Sequence, residues 1–191
     1  LAEIGCDPFS IPTHWPRIYA LDLDWKRVCA VWAACDPDSQ TVYLYSEYSA
    51  RRVELAIHAD AIRSRSPDVT GLINPIAHGR SREDGVQLIE ELWKRDLSLM
   101  PSPDVPEAVI SEMASLLAAQ RLRVFTTLQG WNGEYPLYRR DEKGRPNDDD
   151  CPLVACTALL APIAPGLVPE EKFAADGQDW ARESRSPVTG Y

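Results

Sequence analysis

The chain has 191 residues, 45% of them apolar and 26% charged, which suffices for one sizeable core and is ordinary for a globular domain. Its net charge of −9 argues against a stand-alone, tight nucleic-acid binder, while leaving room for a local basic groove. Five cysteines (Cys6, Cys29, Cys35, Cys151, Cys156) without CxxC spacing, and three scattered histidines, argue against a disulfide framework and against zinc.

No apolar run is long enough to span a bilayer, no signal-peptide pattern opens the chain, and no membrane role is expected. The first residue is not methionine, which suggests a piece of something longer.

Residues 1–16, with Pro8, Pro12 and Pro16, read as a linker or arm leading into the domain. Strand-like patterns follow over Ile18–Asp24, Arg27–Cys35 and Thr41–Tyr48, with turn chemistry at Asp36-Pro37-Asp38-Ser39. Alternation in the third places Val42, Leu44 and Ser46 on one face and Tyr43, Tyr45 and Glu47 on the other. Short connections predict an antiparallel meander.

A helix over Arg52–Ser64, with Val53, Ile57 and Ala61 as its stripe, precedes an apolar strand at Val69–Asn74. A charged, Gly-containing loop then leads to a helix with Val86, Ile89 and Trp93 on one side. Next come a short strand at Leu97–Met100 and a helix over Val105–Gln120 with Val109, Met113, Leu116 and Leu117 buried. A strand at Arg121–Thr127, a mostly helical stretch over Leu128–Tyr138, a charged turn over 139–150 and an apolar helix over Cys151–Ile163 complete the domain. Residues 164–191 are polar and read as a flexible tail. The pattern is α/β, with one mixed central sheet flanked by helices. Trp32 and Trp93 are assigned to the core and Trp131 to a partly exposed position, with Glu134 read as structural.

The first strand holds two acids, Asp22 and Asp24, on one side of an otherwise apolar run. Buried carboxylates need a partner, a hydrogen bond or a cation. Either a divalent metal explains the pair, or these residues sit at the strand end and cap the following turn. His78 and Arg80, in the Gly-rich loop, either approach a phosphate or are simply solvated. Arg139, Arg140, Lys143 and Arg145 form the most basic local cluster, suited to a DNA backbone or to a solvated face.

The ordered set Trp15-Pro16-Arg17, Ala20-Leu21-Asp22-Leu23-Asp24-Trp25, Asp36-Pro37-Asp38, Val42–Tyr48, Gly79-Arg80-Ser81, Asp84-Gly85, Arg121–Phe125, Glu134–Gly144 and Asn147-Asp148-Asp149-Asp150 resembles the large terminase subunit of tailed double-stranded-DNA bacteriophages. The resemblance spans about residues 12–162. No GxxxxGK[ST] phosphate loop occurs, so it points to the C-terminal nuclease domain of that family, with residues 1–16 leading from an absent N-terminal ATPase domain.

What the resemblance implies is an RNase H-like (RuvC/integrase-type) domain over 17–163, cutting concatemeric double-stranded DNA during headful packaging. It also implies two Mg²⁺ or Mn²⁺ ions, a small terminase subunit and a portal as partners, and action in the host cytoplasm. Two such ions activate a water and stabilise the leaving oxygen of an in-line displacement. Asp22 matches the family's first-strand aspartate and Asp150 the one heading the last helix. Asp149 is a plausible second ligand there, and Asp24 stands where relatives more often have glycine. Asn74 occupies the position of the family's second acid. That is a natural change compensated by Asp24 or Asp84, an inactivating replacement, or a shifted alignment. The expected activity is accordingly reduced or Mn²⁺-favouring, and the competing reading is a catalytically weak domain that docks DNA or the portal.

Overall fold

Residues 17–51 are rich in β-branched and aromatic side chains, with tight connections between three runs, and they build the centre of the sheet. These strands are β2 (Arg17–Leu23), β3 (Arg27–Asp36) and β4 (Thr41–Arg51), paired antiparallel as the expected meander. The structure, a computed structural model, describes residues 4–24, 27–51, 53–65, 67–74, 81–102, 106–140, 142, 144, 146–148 and 150–163. The β3–β4 turn is closed by Asp36, whose carboxylate accepts from the Asp38 N–H at 3.0 Å and the Ser39 hydroxyl at 2.7 Å. That is the local hydrogen bonding expected of an Asp in a turn.

Four shorter strands extend the sheet: β1 (Gly5–Cys6), β5 (Gly71–Ile73), β6 (Leu99–Pro101) and β7 (Leu122–Phe125). The spatial order is β1-β7-β4-β3-β2-β5-β6. β5 runs parallel to β2, β6 to β5, β7 to β4 and β1 to β7, so a mixed sheet is what forms. Part of the stretch read as an arm therefore supplies an edge strand. Phe9 and Trp15 of the same stretch pack on Tyr43, with ring centroids 5.1 and 5.6 Å away.

Five helices connect and cover the strands among the described residues: α1 (Leu55–Arg63), α2 (Arg82–Trp93), α3 (Pro106–Ala118), α4 (Gln129–Glu134) and α5 (Pro152–Ala158). Ala20, Cys29, Val31 and Leu44 form one core with Val109, Met113, Leu116 and Leu117 of α3, Trp131 of α4 and Leu153, Val154 and Cys156 of α5. Tyr19, Leu21 and Trp32 form the other with Ala59 and Ile62 of α1 and Ile89 and Leu92 of α2. The stripe expected on α3 is the one observed.

Two expected stripes are corrected. On α1 the buried residues are His58, Ala59 and Ile62, and Ile57 is 54% exposed. His58 fixes that rotation, because its Nδ1 lies 2.8 Å from the Tyr48 hydroxyl of β4. On α2, Ile89 and Leu92 are buried while Trp93 is 37% exposed, its indole N–H donating to the Leu99 carbonyl at 3.1 Å on the sheet edge. The last helix is also shorter than expected, ending at Ala158 before a 3₁₀ turn at Ala161–Ile163. The expected tail, 164–191, lies outside the described residues.

β5 approaches β2 closely because Gly71 has no side chain. A Cβ there would collide with the Tyr19 ring and come within 2.8 Å of Leu99 Cδ2. Tyr19 is itself held, 1% exposed and stacked on Trp32 at 5.5 Å. Gly71→Ala is therefore expected to cost about 2 kcal/mol by overpacking, a fall in Tm of roughly 4–8 °C in a thermal melt.

His58 carries a pH dependence. Burial holds its imidazole below the usual histidine range, partly offset by a hydrogen bond with the Val53 backbone. The unfolded chain then binds a proton at a pH where the folded chain does not, so stability falls as pH drops below about 6.5. Urea titrations at pH 7.5 and 5.5 are expected to show this loss, and His58→Gln is expected to reduce it.

Candidate functional site

Strand pairing brings two of the expected site residues together. β2 and β5 run parallel with Leu21 beside Ile73, so Asp22 and Asn74 each stand one residue further on, at the carboxyl ends of adjacent strands. In open α/β sheets that end is where ligands bind. Asp22 pairs across to Cys29 of β3 and shares its face, the one covered by α5.

Buried thiols lie beside Asp22. Burial pushes the Cys29 thiol up to about 12; the Ser49 hydroxyl and Arg27 oppose that rise, and the carboxylates of Asp22 and Glu134 add to it. The Cys156 thiol of α5 is raised by burial first and by Asp22 next.

Asp24 closes the β2–β3 hairpin through its backbone: its N–H donates to the Arg27 carbonyl at 2.9 Å, and its own carbonyl accepts from the Arg27 N–H at 3.3 Å. It is half-buried. Asp150 is exposed in the turn ahead of α5, with its N–H donating to the Asn147 carbonyl at 3.1 Å.

Among the described residues, no group of three or more His, Cys, Asp or Glu side chains is placed to hold a metal ion. Asp149 lies outside the described residues, and position 74 carries a neutral amide. Asp22 and Asn74 each offer a side-chain oxygen, the donor type that suits a hard divalent cation.

Arg139 and Arg140 are exposed on an excursion between α4 and α5. Asn147 pins its base, accepting from the Arg139 N–H at 2.8 Å and donating from Nδ2 to the Leu137 carbonyl at 3.1 Å. Arg140 bridges to Pro146 and donates to the Gly144 carbonyl at 2.8 Å, so its guanidinium braces the turn. Arg80, Lys143, Arg145 and His78 lie outside the described residues. Ser81 caps α2: its hydroxyl accepts from the Asp84 N–H at 3.1 Å and donates to the Asp84 carboxylate at 2.7 Å.

Three residues beside the site went unassigned or undervalued in the sequence. The register Ala33↔Leu44, Trp32↔Ser46 and Val31↔Glu47 contains a bulge at Tyr45, which turns Glu47 onto the face of Leu44 and corrects the expected alternation. Glu47 there accepts from the Gly130 and Trp131 N–H groups, each at 2.8 Å, at the start of α4. Glu134 does the same for α5, accepting at 2.7 Å from Leu153 N–H and 3.3 Å from Val154 N–H. Arg27 stands 3.6 Å from the other oxygen of Glu134. An acid in an aromatic-rich strand was the one available signal for Glu47. Trp131, expected to be partly exposed, is fully buried, with its indole donating to Thr157 Oγ1 at 2.8 Å and its ring stacked on Tyr135 at 4.9 Å.

No family model matches the chain. The terminase large subunit of Enterobacteria phage LP7 is 29% identical over 160 residues, covering 76% of this chain and 33% of that protein. The chain thus spans about a third of the length of the curated relatives it matches. The solved nuclease domain of the P22 large terminase superposes with a TM-score of 0.73 at 19% identity, covering 97% of this chain and 94% of that one. The large terminase nuclease of thermophilic phage G20c, solved with bound magnesium, gives 0.59 at 15% identity over 83% and 92% of the two chains. That G20c domain has also been solved with zinc and with cobalt. The fold shared with these domains is RNase H-like.

Proposed function

We propose that this chain, similar in sequence to large terminase subunits of bacteriophages and in fold to a solved terminase nuclease domain, is a divalent-metal-dependent DNA endonuclease domain of a viral packaging motor. The observation that carries the reading is Asp22 and Asn74 at the carboxyl ends of adjacent parallel strands. No helix among the described residues is long and apolar enough to cross a membrane.

Under this reading Asp22, Asn74 and Asp150, with Asp24 and Asp149, hold Mg²⁺ or Mn²⁺, two ions in the complete site. When bound, the metal supplies an activated water and stabilises charge on the departing 3′-oxygen of the DNA. The chain's own part is to present oxygen donors on rigid strand ends and to offer Arg80, Arg139, Arg140 and Lys143 to the phosphate backbone. Double-stranded DNA, an ATPase domain in the same longer protein, a small subunit and a portal are the partners proposed, acting in the host cytoplasm.

The test is conversion of supercoiled plasmid to nicked and linear forms with Mn²⁺, with Mg²⁺ and with EDTA. Cleavage that needs a divalent ion supports the proposal; cleavage untouched by EDTA, or none with either metal, counts against it. A second reading, a weak or inactive domain that docks DNA or the portal, is favoured by the neutral side chain of Asn74. Plasmid retention in a gel shift without cleavage would select it.

A further inference from the structure

We propose that Glu134 is a positioning residue that couples the β2–β3 hairpin tip to the start of α5, and so fixes Asp22 and Asp24 relative to Asp150. The proposal deepens the nuclease reading and names no new ligand.

The two oxygens of this carboxylate serve two different parts of the chain. Oε1 stands 3.6 Å from Arg27 Nη1, and Arg27 is the residue whose backbone pairs with Asp24 at the hairpin tip. Oε2 accepts from the Leu153 and Val154 N–H groups, three and four residues beyond Asp150. Those two amides are the ones the helix cannot satisfy itself. Pro152 opens α5 without an N–H, and the first bond within the helix runs from the Ala155 N–H to the Cys151 carbonyl at 3.0 Å. The Glu134 backbone adds a third tie, its carbonyl accepting from the Cys151 thiol at 3.6 Å.

The carboxylate is held rather than solvated. Its side chain is 14% exposed and that of Arg27 is 21% exposed. A residue that only capped α5 would need the amide contacts alone; the Arg27 contact is what makes it a bridge.

The experiment measures amide exchange in the metal-free chain for wild type, Arg27→Ala, Glu134→Gln and Glu134→Ala. Arg27→Ala leaves both amide contacts available, yet exchange at Leu153 and Val154 is expected to rise by about fivefold, because the far anchor of the carboxylate is gone. Unchanged protection there would reduce Glu134 to a local cap and overturn the coupling. Glu134→Gln keeps an acceptor for α5 and loses the charge opposite Arg27, so the question stays open to test even if Glu134→Ala does not fold.

Mn²⁺ affinity by calorimetry is the second arm. About tenfold weakening in Arg27→Ala and Glu134→Gln is expected, the range seen for groups that orient metal ligands. Unchanged affinity in both variants would remove the positioning role. If wild type itself binds no Mn²⁺, the metal-site reading fails, while the exchange result still decides the coupling.

Discussion

Asp22→Ala is expected to lower metal-dependent plasmid cleavage by at least about 100-fold, since even groups behind metal ligands reach that loss. The fold is expected to survive. Asp22 is only half-buried, and the β2 side chains that build the cores, Leu21 and Leu23 among them, are untouched. A Tm close to wild type is the expected signature of a ligand rather than a packing residue. Asp150→Ala is expected to act in the same direction without a stability loss, because its side chain is exposed. Asp84→Ala is the control: it removes an oxygen that holds the Ser81 cap, costs on the order of 0.3–1 kcal/mol, and should leave cleavage unaltered. Unaltered cleavage in both Asp22→Ala and Asp150→Ala would sink the site.

The meander and the α3 stripe were legible because each rests on a local period: two for strands, near 3.6 for Val109, Met113, Leu116 and Leu117. The neighbouring placement of Asp22 and Asn74 was expected from the family resemblance and its RNase H-like layout, not from the strand patterns themselves. What the pattern could not carry is non-local. The bulge at Tyr45 depends on how β4 pairs with β3, and it moves Glu47 to the other face without any mark in the alternation. Trp131 sits in a helix of six residues, too short for a period, and its burial is decided by Thr157 and Tyr135. β1 has two residues and pairs with a strand beginning more than a hundred positions later. On α1, one hydrogen bond from Tyr48 selects the face with His58 over the face with Ile57. Glu134 looked structural, and its contacts with Arg27 and α5 give that word a content no spacing rule predicts.

Asn74→Asp is the opposite experiment, a predicted gain. An amide oxygen can ligate a cation but carries no charge, and hard divalent ions bind more tightly to carboxylates. With Asp22 one strand over, a second carboxylate is expected to raise Mn²⁺ affinity about tenfold, equivalent to about 1.4 kcal/mol, and to raise cleavage with it. The variant also predicts a reversal that a bystander position would not produce. Without metal, two like charges at adjacent strand ends repel, so the Asn74→Asp variant has the lower Tm in EDTA. With Mn²⁺ at a hundred times the variant's dissociation constant, about ten times that of wild type, binding contributes about 2.7 kcal/mol to the variant and about 1.4 kcal/mol to wild type, so the variant gains about 1.3 kcal/mol more and its deficit in EDTA is expected to reverse. Melts of both proteins in EDTA and in Mn²⁺ read the sign directly. If the two curves keep the same order in both buffers, position 74 lies outside the metal site, and the oxygen donors at the end of β5 have no part in cleavage.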